Sequence, residues 1–203
     1  MAYGILVVLG YLLGCSNMAV YLAKAKGVDL QAKGSGNPGA SNATILMGWK
    51  AGVLVALHDI GKAALAVLLA KWLFPGTVAA GEVAGVACVI GHIFPVFFRF
   101  QGGKGFASFI GMMLVLSWQF ALVMLAAVVI VTVVFDYIVV GTTLTVVGLP
   151  VYMAVTRAGW IPVVIVCVAT ALIIFKHRTN YVKIYKGTEI GLRSAFAGEH
   201  RVR

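Results

Sequence analysis

Charge is what this chain has least of. Only 11% of its 203 residues are Asp, Glu, Lys or Arg, against about a quarter in an ordinary soluble domain. So few charges cannot cover a water-facing surface, which excludes a soluble globular fold. Acidic residues are the scarcest, six against sixteen Lys and Arg, leaving a net charge of +10. Cysteine is limited to Cys15, Cys88 and Cys167, all in apolar stretches and none in a CxxC pair. That excludes a disulfide framework and a thiolate zinc site. It predicts buried, inert thiols, because a reactive thiol needs polar, electropositive surroundings. Alternating apolar and polar segments of about ten residues are absent, which excludes a transmembrane β-barrel. The first apolar run, Met1 to Ala23, lacks a basic leader and an A-x-A-like cleavage site, so it is expected to be a retained membrane helix.

What is present is apolar: 62% of the residues, with a mean hydropathy of +1.02. The expected fold is all-α, a polytopic membrane helical bundle forming a single domain over 1–203. Charges and breakers delimit apolar segments at 1–23, 45–74, 78–98, 105–135, 137–156 and 158–175. Three polar islands, 24–44, 99–104 and 176–203, are all basic, and the positive-inside rule assigns all three to the cytoplasmic face. The basic tail 176–203 is therefore topogenic rather than a nucleic-acid surface. One span before the first island puts the N-terminus outside. "FPGT" at 74–77 supplies an external turn. Between Lys104 and Lys176 lie 71 residues with only Asp136 and Arg157 charged. Four spans of about 17 residues just fit there, as do two long helices with a re-entrant stretch. The four-span reading breaks near Ser117-Trp118-Gln119 and gives about seven transmembrane helices, with the C-terminus cytoplasmic.

One span carries ionisable groups. "WKAGVLVALHDIGKAALAV" places His58, Asp59 and Lys62 mid-helix, where they are costly unless paired or facing a polar cavity. Asp59 and Lys62, three apart, share a face and can neutralise one another. A structural ion pair is the leading reading and a direct role at a site the alternative. Gly61 between them would permit close helix approach.

The islands carry the chemistry. In "GSGNPGASN", residues 34–42, Gly34, Gly36 and Gly39 expose main chain, while Ser35, Asn37, Ser41 and Asn42 supply polar groups. The stretch reads as an uncharged loop, neither helix nor strand, suited to a phosphate or an oxyanion. In "GHIFPVFFRFQGGKGFASFIG", residues 91–111, Gly102, Gly103 and Gly105 flank Lys104 just before a helix, a phosphate cradle in kind. The Walker spacing is absent, and a flexible membrane-edge loop with a snorkelling lysine is the plainer alternative. In "KHRTNYVKIYKGTE", residues 176–189, His177, Asn180 and Ile184 stack at helical spacing. Arg178, Lys183 and Lys186 add cations, and Glu189 follows Gly187. Three phosphate-friendly islands on one face of an apolar bundle suggest an enzyme that joins a phosphorylated headgroup to an acyl chain.

These three signatures, in this order over most of the chain, resemble the bacterial acyl-phosphate:glycerol-3-phosphate acyltransferases. "GYLLGCSNMAVYLAK" at the start and the Asp-x-x-Lys at 59–62 are similar as well. The resemblance implies a seven-helix bundle in the bacterial inner membrane with a cytoplasmic-side active site, no cofactor and no metal. It implies acyl phosphate as donor, glycerol 3-phosphate as acceptor and 1-acyl-glycerol 3-phosphate as product, with membrane lipid around a monomer. The H-x-x-x-x-D pattern of acyl-CoA-dependent acyltransferases does not occur here. By position, Ser35 and its loop (Gly34, Gly36, Asn37, Gly39, Asn42) match the motif required for catalysis. Gly102, Gly103, Lys104 and Gly105 match the glycerol-3-phosphate phosphate site. His177, Asn180 and Glu189 match the third motif, with Arg178 and Lys183 as phosphate-binding candidates. His177 is the candidate general base, and base action by a substrate phosphate is the alternative. The chain departs from the family at Gln31 and Ile45, where arginine is usual. Lys183 also replaces an arginine, with loss of bidentate geometry. Lys26, Lys33 and Lys50 are candidates to compensate. A relative that acylates another phosphorylated alcohol is the second reading, and a non-catalytic lipid transporter or binding bundle the third. Repeated halves with midplane sites would mark a transporter; no internal repeat is visible.

Overall fold

The computed structural model describes residues 1–196. It is helical: α1 (Ala2–Cys15), α2 (Met18–Lys26), α3 (Ala40–Met47), α4 (Trp49–Leu73), α5 (Ala80–Ile93), α6 (Phe106–Leu116), α7 (Trp118–Phe135), α8 (Ile138–Val155), α9 (Trp160–Tyr185) and α10 (Leu192–Phe196), with a short 3-10 turn at Val96–Phe98. Among the described residues, six stretches are long and apolar enough to cross a membrane: Ala2–Lys26, Trp49–Leu73, Ala80–Phe98, Trp118–Phe135, Ile138–Val155 and Trp160–Tyr185. The break expected near Ser117 falls at Ser117, between α6 and α7. It leaves α6 with 11 residues, or about 16 Å at 1.5 Å per residue, half a hydrocarbon core. The expected seventh span is this short helix. The last part of the basic tail, 197–203, lies outside the described residues.

The chain forms two compact units, Met1–Leu116 and the residues from Ser117 onward. In the first, α1 and α5 run side by side in the same direction. Tyr3 Oη donates to Val78 O (3.1 Å) near one end, and Tyr11 Oη donates to Phe94 O (2.8 Å) near the other. Small residues make this contact. A Cβ on Gly10 would overlap the Ala84 carbonyl, and one on Gly14 the Cys88 carbonyl, so the two backbones touch as they do in membrane bundles. Gly61 does not have the expected part in such packing: it is exposed, with nothing near a Cβ placed there. Close approach to α4 comes instead from Gly111 of α6, against the Ile60 carbonyl. Because α1 and α5 are parallel, the first and second islands lie at one end of this unit.

Three helix boundaries differ from the sequence reading. The first apolar run breaks at Ser16-Asn17, where Asn17 Oδ1 accepts from Val20 N (3.2 Å) and starts α2 as its N-cap. The 45–74 segment breaks at Gly48, whose φ of 88° suits a residue without a Cβ. The apolar segment ending at 175 continues without a break as helix to Tyr185, which takes in the helical spacing of His177, Asn180 and Ile184. Cys15 and Cys88 are buried as expected, but Cys167 is exposed on α9.

In the second unit, α8 packs against both α7 and α9. At the α7–α8 turn, Asp136 holds a φ of 68° and meets the segment that follows α9. Leu192 N donates to Asp136 O (2.7 Å), and Arg193 N to Asp136 Oδ1 (2.8 Å). The turn at Asp136 and the residues after Glu189 therefore share one end of this unit.

Candidate active site

The first island folds through its own side chains. Asp29 Oδ1 accepts from Gln31 N (2.9 Å) and Ala32 N (3.0 Å). The Ala32 and Gln31 amides, helped by nearby Lys33, hold the Asp29 carboxyl below its ordinary pKa. Gly34 and Gly36 then take φ values of 63° and 71°, and Asn42 closes the loop from within. Its Oδ1 accepts from Ser35 N (2.8 Å), and its Nδ2 donates to Leu30 O (2.9 Å) and Lys33 O (3.3 Å). Asn42 is fully buried, so its side chain clasps the loop rather than reaching for a ligand. The expected nine-residue loop is also shorter. Gly39 caps α3, and Ala40, Ser41 and Asn42 are already helical.

The expected cradle of loop amides is largely occupied. Ser35 N goes to Asn42, Gly36 N to Lys33 O (3.2 Å) and Gly39 N to Asn37 O (2.9 Å). The amides opening α3 have no carbonyl one helical turn earlier. Ser35 is exposed, in the turn that precedes α3.

The second island repeats this outcome by other means. Gly102 N donates to Ile93 O (3.2 Å) and Gly103 N to His92 O (3.1 Å), satisfying carbonyls at the end of α5. Both glycines are buried. A Cβ on Gly102 would overlap the His92 carbonyl, and one on Gly103 the His92 ring at Nε2. These glycines are thus needed for close packing, and their N–H groups do not face a ligand as the cradle reading supposed. Lys104 is half-buried, Gly105 has φ 90°, and α6 begins at Phe106. Lys104 and Gly105 lead directly into the opening turn of α6, and a helix start of this kind favours negative charge. The two islands meet where Gln31 Nε2 donates to Gln101 Oε1 (2.7 Å).

The third island, in the second unit, is a helix end that folds back. Gly187 N donates to Ile184 O (2.9 Å) and Thr188 N to Lys183 O (2.8 Å), with Gly187 at φ 67°, the hydrogen bonds of a Schellman stop. The reversal brings Glu189 Oε1 to Asn180 Nδ2 at 2.5 Å. This accounts physically for the Asn…Gly-x-Glu spacing. His177 is buried, with Nδ1 2.8 Å from Ile173 O. A carbonyl only accepts, so the neutral ring carries its proton on Nδ1 and leaves Nε2 as the basic nitrogen. Arg178 is turned back on its own helix, donating to Phe175 O (3.0 Å) and lying 4.0 Å over the Phe175 ring. Lys183 is exposed.

Two features escaped the sequence reading. The Asp136 clasp has only one signal in sequence, a lone acid after an 18-residue apolar helix. The second is a buried polar cluster around the expected Asp59–Lys62 pair. That pair forms at 2.8 Å, but His92 Nδ1 and His58 Nδ1 also lie 3.3 and 3.5 Å from Asp59 Oδ1. His58 Nε2 is 3.0 Å from Ser16 Oγ.

Membrane-length apolar helices around two polar, glycine-bearing loops define a polytopic integral membrane protein with a polar site at one end of its first unit. Comparison with known proteins makes this specific. The family described as glycerol-3-phosphate acyltransferase matches residues 4–187. A glycerol-3-phosphate acyltransferase of Coxiella burnetii is 40% identical, over 93% of this chain and 97% of its own. Glycerol-3-phosphate acyltransferase 1 of Oceanobacillus iheyensis is 35% identical, over 97% and 98%. The fold is similar to the crystal structure of PlsY (YgiH), an integral membrane glycerol 3-phosphate acyltransferase, in its glycerol 3-phosphate form. The TM-score is 0.91 at 32% identity, covering 97% of this chain and 98% of that one. The chain belongs to the glycerol-3-phosphate acyltransferase family.

Proposed function

We propose that the protein transfers a fatty acyl group from an acyl phosphate to the 1-hydroxyl of glycerol 3-phosphate, as the first acylation of phospholipid synthesis. The observation that carries this reading is family membership across nearly the whole chain. The acceptor hydroxyl oxygen attacks the acyl carbon, the C–O bond to phosphate breaks, and inorganic phosphate leaves with the bonding electrons. The hydroxyl proton passes to His177 Nε2 or to a substrate phosphate. The donor is already activated, so the protein has to position two phosphates and stabilise an oxyanion. Lys104 and the first turn of α6 bind the acceptor phosphate. Ser35 and the first turn of α3 bind the donor phosphate. Asn180, held by Glu189, orients a substrate oxygen. The basic islands support a cytoplasmic site, an outside N-terminus and a bacterial inner-membrane location. With α6 counted as a short crossing, seven crossings satisfy that orientation, and the protein acts as a monomer.

The test is phosphate release by purified protein with palmitoyl phosphate, with and without glycerol 3-phosphate. Release that requires glycerol 3-phosphate is expected, and Lys104→Ala lowers kcat/KM by about 100-fold. No release with any of the acceptors tried overturns the enzymatic reading. Release only with another phosphorylated alcohol moves the acceptor assignment.

A further inference from the structure

Lys62 lies midway along α4 and is 7% exposed, beside Asp59 at 1% and His92 at 4%. An ammonium has three protons, and three acceptors surround this one: Ser16 O at 2.6 Å, Asp59 Oδ1 at 2.8 Å and His92 Nδ1 at 2.9 Å. Each acceptor comes from a different element. The Ser16 carbonyl is available because α1 stops there. Val20 N, which a continuous helix would direct to it, bonds Asn17 Oδ1 instead. The opposite edge of the His92 ring, at Nε2, abuts Gly103. Gly103 N also donates to His92 O, so ring and main chain both seat the loop one residue before Lys104. On the other side, Asn17 Nδ2 donates to Pro38 O (3.3 Å) inside the first island. A continuous polar path thus runs from Pro38 through Asn17, Ser16, Lys62 and His92 to Gly103. Apolar side chains would pack these helices at lower desolvation cost. What the ammonium adds is fixed direction and distance.

We propose that Lys62, with Asp59 and His92, is a positioning group that sets the spacing between the two phosphate loops. It acts on the Lys104 loop through His92 and on the Ser35 loop through Ser16 and Asn17. The inference rests on the reading of those loops as acceptor and donor sites.

The experiment measures kcat, both KM values and Tm on the purified full-length protein, with Lys104→Ala as reference. In His92→Asn the amide oxygen can still accept from Lys62, but nothing replaces the ring edge at Gly103. KM for glycerol 3-phosphate is expected to rise about tenfold while kcat and KM for palmitoyl phosphate hold within about twofold. Asn17→Ser keeps a capping oxygen and loses reach to Pro38, and is expected to raise KM for palmitoyl phosphate a few-fold with the other KM unchanged. If Lys104→Ala raises the glycerol 3-phosphate KM and His92→Asn does not, or lowers only kcat and Tm, the positioning role is overturned. If Lys104→Ala leaves that KM unchanged, the acceptor assignment falls, and the inference with it. Should His92→Asn fail to fold, Gly103→Ala loads the same contact from the loop side. The same KM rise supports the role and an unchanged KM overturns it.

Discussion

The loops at 34–39 and 101–105 look alike in sequence and are built in opposite ways. Both are short, glycine-bearing and adjacent to a helix start. The first is exposed and holds itself together with side chains, Asp29 at its approach and Asn42 at its exit. The second buries its glycines. It is moulded onto the end of α5, its amides bonded to α5 carbonyls and its glycines against His92. The amides of Gly36 and Gly39 in the first, and of Gly102 and Gly103 in the second, bond to protein carbonyls. Glycine content here reports how the chain is shaped rather than how many donors it offers.

The comparison predicts different sensitivities, and the largest effect is at the clasp. Asn42→Ala leaves Ser35 N and two carbonyls without their partner at a fully buried position. A loss of about 2–3 kcal/mol in stability is expected, with kcat/KM for palmitoyl phosphate down by at least about tenfold; thermal unfolding and steady-state kinetics read both. An intermediate effect is expected from acid. Asp29 is below its ordinary pKa in the folded chain, so its contribution is complete above the unfolded value of about 4 and is lost as pH falls through the folded value. Hydrogen exchange at Gln31 and Ala32 should therefore accelerate as pH drops below about 4, relative to Gly102 and Gly103 at the same pH, after correction for intrinsic rates. Asp29→Asn should remove that dependence. The smallest effect is at the bridge between the loops. Gln31→Arg replaces an exposed amide bond to Gln101 by a cation, and either KM should shift by no more than about twofold. A larger fall would show that the first loop binds its phosphate chiefly by charge.

The helical membrane class was legible because composition and run length are global properties. So was the break at Ser117, where a Ser-Trp-Gln triplet interrupts an apolar run. The breaks at Ser16-Asn17 and Gly48 were not. Their cause is tertiary: the first frees a carbonyl for Lys62, 46 residues away, and the second lets the chain turn from α3 into α4. Gly61 was misread because composition does not say which face of α4 meets a neighbour. At the candidate site, the motifs marked the places and not the division of labour. Asn42, Gly102 and Gly103 read as ligand groups, yet their bonds run to the protein itself. Glu189 read as a site carboxylate, and its structural partner is Asn180. A side chain's hydrogen-bonding capacity is visible in sequence, but what consumes it is a matter of distance.

The three-acceptor shell around Lys62 also bears on how the chain enters the bilayer. Alone in hydrocarbon, α4 would carry a carboxylate and an ammonium near its centre, each unfavourable by about 2.5–3.5 kcal/mol on insertion scales. The i, i+3 pairing lets the helix cross as a nearly neutral unit. The ammonium's two hydrogen bonds, beside its ion pair with Asp59, still depend on the end of α1 and on α5, the one made before α4 and the other after it. The shell around the ammonium is therefore complete only once α5 has joined α1 and α4.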